Sequence, residues 1–179
     1  MKTFAVLFFG FISLVRLNAQ PLDSKPQATV QAIFFDAIKE RALGNFDRAV
    51  ALLKTAIEQE PDEPALYFEL GKNLRVLKRY DLAEQAFLSA NSLQPDDEWI
   101  LNELYTVYGD MGAMDKLLPI LQKLAERHPD YQEDLVSFYI EQGRYEEANE
   151  ALSLLTSKYA NTPSREEKRR LLDRLMNPK

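Results

Sequence analysis

Apolar residues recur along most of the chain at intervals of three and four positions, the spacing that places side chains on one face of an α-helix. Phe46, Ala49, Leu53 and Ala56 form one such stripe. Glycines separate the stripes, as at Gly44, and glycine readily adopts the left-handed conformation that ends a helix. The pattern predicts a series of amphipathic helices joined by short turns, and therefore an all-α fold.

The helical pattern itself repeats along the chain with a fixed period. Pro61, Pro95 and Pro129 are 34 positions apart, and each is expected to end the second helix of a unit. A fixed period of this length indicates units that bury their apolar faces only by stacking on their neighbours. The apolar positions that recur in step are Phe46, Tyr80 and Met114; Ala49, Ala83 and Leu117; Leu53, Phe87 and Leu121; and Ala56, Ala90 and Leu124.

The unit resembles the tetratricopeptide repeat, whose signature is W-x₂-L-G-x₂-Y, then A-x₃-F, then P. The second unit fits best, with Tyr67 at the aromatic position and Gly71 at the small one. The resemblance implies a right-handed α-solenoid of about four helix-turn-helix repeats plus a C-terminal capping helix. We expect a lead-in at 20–29, repeats at 30–63, 64–97, 98–131 and a shortened 132–160, and a capping helix and tail at 161–179.

The later repeats depart from the pattern in three places. Tyr105 stands where a small residue belongs, so the helices of the third repeat should be pushed apart or twisted. Pro119 lies inside a predicted helix, where it removes a backbone donor and should cause a bend; a functional hinge is the alternative to a tolerated kink. Gly143 lies 31 positions after Gly112, short of the full period, so we expect the fourth repeat to lack a turn at the start of its first helix.

Residues 1–19 have the organisation of a secretory signal peptide. Lys2 precedes twelve apolar or small residues, Phe4 to Val15. At 1.5 Å per residue these span about 18 Å, short of the roughly 30 Å hydrocarbon core of a bilayer. We therefore predict export with cleavage after Ala19, and no stable membrane insertion of the mature chain. A cysteine-free exported protein of this kind is typical of the periplasm or the exterior of a Gram-negative bacterium.

Composition excludes several functional classes. The absence of cysteine removes disulfides, cysteine-ligated metals, thiol nucleophiles and a cysteine-linked lipid anchor. With 28 Asp and Glu against 22 Lys and Arg the net charge is −6, and loss of Lys2 and Arg16 with the signal makes it −8. Such a surface does not attract nucleic acid. An enzyme would have to use His128, the single histidine, without a nucleophile motif or phosphate loop; we expect no catalysis, cofactor or metal.

The resemblance also implies where a partner would bind. In tetratricopeptide repeats the first helices line a concave groove, and the positions left over from the core stripe contact the ligand. Large apolar residues there, such as Phe34, Phe68 and Trp99, are unusual for surface that only faces water. The alternative is that Phe34 and Phe68 pack on the neighbouring repeat. The predicted groove residues are Phe34, Ile38, Arg41, Phe68, Lys72, Arg75, Trp99, Asn102, Thr106, Ser137 and Glu141.

Charge is distributed unevenly along the chain. Residues 130–150 contain seven acids and one base, whereas residues 165–179 contain six bases and three acids. Solvated surface explains most such runs. One functional alternative is a groove that changes from cationic and aromatic to acidic and so orients an extended peptide. Another is a homo-oligomer in which the basic last helix packs on the acidic segment of a second copy.

The sequence therefore predicts a non-catalytic protein- or peptide-binding scaffold, or an assembly adaptor, of the bacterial cell envelope. Its apolar groove residues would anchor a partner, and Arg41, Lys72 and Arg75 would orient it. A self-associating structural protein is the second interpretation.

Overall fold

The structure, a computed structural model, describes residues 29–178. The predicted signal peptide and nearly all of the predicted lead-in lie outside this range. The described residues form nine α-helices and no strand, which confirms the all-α prediction. None of these helices combines the length and apolar character that a membrane span needs. They are α1 (Val30–Ala42), α2 (Phe46–Gln59), α3 (Pro64–Val76), α4 (Tyr80–Leu93), α5 (Glu98–Met111), α6 (Met114–Ala125), α7 (Pro129–Glu141), α8 (Tyr145–Lys158) and α9 (Pro163–Met176).

Successive helices pack against each other in chain order and form four helix-turn-helix pairs, α1 with α2 through α7 with α8. Gly44, Gly112 and Gly143 have φ of +80°, +66° and +70° in the turns inside three of these pairs. Lys78 has φ of +57° at the equivalent turn between α3 and α4. The short left-handed turns bring each second helix back against the first, as the glycine pattern predicts.

The core lies between the two helices of each pair and between neighbouring pairs. The recurring large position of the second helices is buried in all four, because Leu53, Phe87, Leu121 and Leu152 each expose 1% or less of their surface. Phe87 requires glycine at position 71 on α3, because a Cβ at this position would lie 2.6 Å from Phe87 Cε1. Stacking of the pairs therefore supplies a core that no single pair could form.

α9 covers the end of the stack by packing on α8. Leu172 is fully buried, and Arg165 exposes only 7% of its surface. Arg165 Nε donates a hydrogen bond to Glu133 Oε1 on α7 at 2.9 Å, and Nη2 lies 2.7 Å from the same oxygen. Thr162 caps the helix by accepting a hydrogen bond from the Arg165 amide at 3.3 Å. The last helix thus combines an apolar contact with an ion pair to the fourth repeat.

The prediction of where the repeat array is shortened is wrong. α6 has 12 residues, whereas α2, α4 and α8 have 14. The segment 126–128 connects α6 to α7, whereas the longer segment 94–97 connects α4 to α5. The missing residues therefore come from the end of the third repeat, and the fourth repeat begins with a first helix of full length.

Pro129 explains the error. It does not end a helix but is the first residue of α7, as Pro64 is of α3 and Pro163 is of α9. A proline is tolerated there because the first-turn amides have no partner within the helix. Its spacing from Pro95 matches the repeat by coincidence, and the boundary predicted between residues 131 and 132 falls inside α7.

Two predictions concern the inside of the third repeat, one from Tyr105 and one from Pro119. α5 and α6 pack against each other, and the separation or twist predicted from Tyr105 stays a prediction. The Tyr105 side chain is half-buried and contacts α7, where its hydroxyl donates a long hydrogen bond of 3.5 Å to Asp134 Oδ2. α6 continues through Pro119 without a break, so the bend and the hinge at this residue stay predictions.

Candidate functional site

The predicted groove residues lie on the first helices of the four pairs, α1, α3, α5 and α7. Trp99 exposes 74% of its surface. Thr106 and Glu141 are also exposed, and the remaining eight are half-buried. Because none of them belongs to the buried core, they form a surface that a partner can contact. We call the half-buried and exposed side chains of these four helices the first-helix face.

Two ion pairs at equivalent positions join neighbouring first helices. Arg41 Nη1 lies 2.9 Å from Glu69 Oε2, and Arg75 Nε donates to Glu103 Oε2 at 3.1 Å. Lys72 Nζ donates to the other oxygen of Glu69 at 3.0 Å. Arg75 Nη1 also lies 3.8 Å from Asp110 Oδ2, so the three cations assigned to the groove are paired with three carboxylates of the chain. Such partly exposed pairs stabilise by about 0–1 kcal/mol each.

Two apolar pockets open on the first-helix face, one repeat apart. One surrounds Phe34 between α1 and α3 and measures about 280 Å³; the other surrounds Phe68 and Trp99 between α3 and α5 and measures about 210 Å³. Every residue that lines the first has a counterpart 34 positions later in the second, and Ala65 lines both. Both are smaller than the roughly 300 Å³ at which small-molecule sites usually begin. Each is therefore suited to one side chain.

Phe68 packs on its own repeat and lines a pocket at the same time. Its ring lies edge-to-face against Phe87, with centroids 6.0 Å apart. Lys72 Nζ lies 5.1 Å from the centre of the Phe68 ring. One side of the Phe68 ring therefore contacts the core, and the other side lines the second pocket. The packing interpretation named the neighbouring repeat, whereas Phe87 belongs to the same repeat as Phe68.

At the next position along the face, polar contacts replace the apolar pocket. Asn102 takes the place of Phe68, and its side-chain oxygen accepts a hydrogen bond from the Tyr131 hydroxyl. His128 Nε2 lies 3.0 Å from Glu98 Oε2, and its ring lies edge-to-face against Tyr131 with centroids 6.2 Å apart. The series of apolar pockets therefore ends at Trp99.

Beyond this point the face becomes acidic and rich in tyrosine. The rings of Tyr105 and Tyr131 lie edge-to-face, 5.9 Å apart. Burial raises the pKa of both phenols, and the carboxylates of Asp134 and Glu98 raise the pKa of Tyr105 and Tyr131 respectively. Within residues 29–178, Asp134 and Glu141 take part in no ion pair. This end of the face offers neutral phenols beside uncompensated carboxylates.

Comparison with known proteins agrees with the geometry. Residues 37–98 match the sequence profile of the tetratricopeptide repeat family. This match places tetratricopeptide repeats within residues 37–98. No curated protein matches the sequence.

Solved structures with the tetratricopeptide repeat fold resemble the whole described array. A tetratricopeptide repeat protein from Parabacteroides merdae superposes with a TM-score of 0.68 at 20% identity, over 82% of this chain and 60% of that one. YrrB, a TPR protein with an unusual peptide-binding site, gives 0.58 at 20% identity, over 70% and 66%. A chain of the Naa15/Naa10 complex bound to HypK-THB gives 0.62 at 20% identity, over 75% and only 21%. At such identities the likeness shows the fold alone.

Several contacts of this tetratricopeptide array escape sequence reasoning. Glu133 occupies in α7 the position of Phe68 in α3, and Arg165 neutralises it. Alignment of α7 on its first residue, Pro129, would have found this position. Ser137 and Thr106 use their hydroxyls within their own helices, donating to the Glu133 and Asn102 carbonyl oxygens at 2.9 and 2.8 Å. Among the described residues, no group of three or more acidic or histidine side chains could hold a metal ion.

Proposed function

We propose that the protein is a non-catalytic scaffold or assembly adaptor of the bacterial cell envelope that binds a protein or peptide partner on the first-helix face. The observation that carries the proposal is the pair of equivalent apolar pockets around Phe34 and Phe68, which open on the first-helix face. The tetratricopeptide repeat fold supports protein binding, and the similar fold of YrrB is described with a peptide-binding site.

The cell-envelope location rests on residues 1–19, which have the charge, length and apolar run of a signal peptide. Fractionation of cells that express the full chain tests it. We expect the protein in the periplasmic or extracellular fraction, beginning at Gln20. Recovery of uncleaved chain from the cytoplasm would contradict this part of the proposal and leave partner binding untouched.

Capture of partners by crosslinking in cells, followed by mass spectrometry, tests the groove. Phe68→Ala and Trp99→Ala should each reduce capture, because each removes a wall of the second pocket. Leu88→Ala is the matched control, since Leu88 is an exposed apolar residue on the second helix α4. Unchanged capture by both variants, with helical content retained in circular dichroism, would refute binding on this face.

Self-association remains the second candidate, and the structure lends it less support. Of the bases on α9, Arg165 pairs with Glu133, and Lys168 Nζ donates to the Glu133 carbonyl oxygen at 3.3 Å. These two bases are therefore engaged within the chain, whereas Arg170 and Arg174 on the same helix are exposed. Light scattering at low and high salt separates the two cases, because an electrostatic dimer should dissociate as salt is added.

A further inference from the structure

We infer that the ligand of the first-helix face is an extended cationic peptide of the form apolar-x-x-apolar-x-x-basic, read along the face from α1 to α7. Its two apolar side chains occupy the two pockets, and its basic side chain lies at the acidic, tyrosine-rich end. The inference rests on the proposed function and specifies the chemistry of the partner. Two observations carry it, the repetition of the pockets and the charge of the groups around them. The general spacing of packed helices sets the register.

The repetition shows that the face offers the same apolar environment twice and then stops. Phe34 and Phe68 line equivalent pockets, whereas the Tyr131 hydroxyl is bonded to Asn102 at the third position. An apolar side chain placed there would meet the polar groups of Glu98 and His128 and the Tyr131 hydroxyl. A ligand that matches the face has two apolar side chains in register, followed by a polar one.

The spacing of the pockets selects the conformation of the peptide. α3 and α5 are in contact, and packed helices have axes about 8–10 Å apart. Because the pockets recur with the repeat, we take this value as the distance between them. A polyproline II helix has three residues per turn and a rise of about 3.1 Å, so side chains i and i+3 share one side about 9 Å apart. In a β-strand the same-side positions i+2 and i+4 lie about 7 and 13 Å away. Of these distances, only that between residues i and i+3 of a polyproline II helix falls within the roughly 8–10 Å between packed helices.

The charge of the face selects a basic partner. Its cations Arg41, Lys72 and Arg75 are already paired with Glu69, Glu103 and Asp110, as described above. The carboxylates beside the pockets cap helices instead of meeting cations.

Glu63 accepts a hydrogen bond from the Ala65 amide at 3.3 Å, and Asp97 accepts one from the Trp99 amide at 2.9 Å. Asp134, beyond the second pocket, is in no ion pair within the described residues. A lysine or arginine that follows the second apolar side chain gains attraction there, with the Tyr105 ring beside it.

Synthetic peptides test the register directly. The probe is an eleven-residue peptide of alanine and proline with leucine at positions 3 and 6 and lysine at position 9, together with the same sequence reversed. Comparison peptides move the second leucine to position 5 or 7, or replace lysine 9 by glutamate. Trp99 is the single tryptophan of the chain and lines the second pocket, so its fluorescence reports binding without a label.

We expect one orientation of the probe to bind at least about tenfold more tightly than peptides with shifted leucines, because burial of a second leucine is worth that factor. Ala65→Leu should abolish the difference, since Ala65 lines both pockets. Ala51→Leu is the matched control, an exposed alanine on α2. The pair Asp134→Asn and Glu141→Gln should remove the preference for lysine over glutamate, and Glu150→Gln on α8 should not.

The outcomes separate this inference from the proposed function. Equal affinity for all leucine spacings, or no peptide binding while partner capture still depends on Phe68 and Trp99, would overturn the inference and leave the groove in place. Loss of both peptide binding and Phe68-dependent capture would overturn both. A spacing preference that Ala65→Leu leaves intact would also overturn it, because the leucines would then bind elsewhere.

Discussion

Replacement of Gly71 by alanine tests whether the close approach of α3 and α4 depends on the absence of a side chain. A Cβ at this position would lie 2.6, 2.7 and 2.8 Å from three atoms of the Phe87 ring, and Phe87 is fully buried. Overpacking of this kind costs about 1–3 kcal/mol. Alanine is favoured over glycine inside a helix by about 1 kcal/mol, so the net effect of the single variant is small and its sign alone decides little.

Gly109→Ala is the matched control that isolates the steric effect. Gly109 is also helical, on α5, but a Cβ there would lie 3.9 Å from its nearest neighbour, Leu117. The helix-propensity gain is common to both variants and largely cancels. We therefore expect Gly71→Ala to be less stable than Gly109→Ala by about 1–3 kcal/mol, which lowers the thermal midpoint by about 2–12 °C for a chain of this size.

Thermal and urea unfolding followed by far-ultraviolet circular dichroism measure the difference. The double variant Gly71→Ala with Phe87→Leu should be more stable than the sum of its two single variants predicts, by about 0.5–3 kcal/mol, because the smaller leucine leaves room for the added Cβ. Equal or greater stability of Gly71→Ala relative to Gly109→Ala would refute the claim that Phe87 requires glycine at position 71.

Three further predictions concern the cap and two tyrosines. Leu172→Ala should destabilise the array by about 2–5 kcal/mol in urea unfolding, because it empties a fully buried site under α9. Burial and Glu84 raise the pKa of Tyr108 to about 12. The stability that the protonated phenol contributes is therefore complete below about pH 10 and is lost as the pH rises towards 12. Tyr108→Phe should reduce this loss when unfolding is measured across that pH range. Asp134→Asn should lower the pKa of Tyr105 towards its ordinary value in ultraviolet titration, since that carboxylate raises it.

The fold was predictable because the signals for it are local and repeated. Leu53, Phe87 and Leu121 recur once in each of the first three repeats at a constant spacing, and the structure buries all three. Helix periodicity and turn glycines depend on a few neighbouring residues, so they can be read from one sequence. Pro129 shows the limit of such patterns, because a proline ends one helix or begins the next equally well. Only the bounds of α6 and α7 decide between the two.

The candidate site was predictable only as a set of positions. The sequence places Phe34, Phe68 and Trp99 on the first helices, and the structure leaves all three outside the core. The sequence could not show that Arg41 and Arg75 form ion pairs with the next repeat. Their partners, Glu69 and Glu103, lie on a different helix, far away in the chain. Such pairings depend on how far one helix is rotated and shifted against another.

The sequence by itself determined the helical repeats, their apolar stripe, the absence of cysteine chemistry and the acidic balance, because each follows from composition or from spacing within one helix. Only the tertiary structure decided where the array is shortened and that two equivalent pockets open beside Ala65. It also decided that a hydrogen bond between Tyr131 and Asn102 stands where a third pocket would be. The physical reason is that a pocket or an ion pair between repeats belongs to two helices at once. Its existence depends on the distance between them, which no single segment encodes.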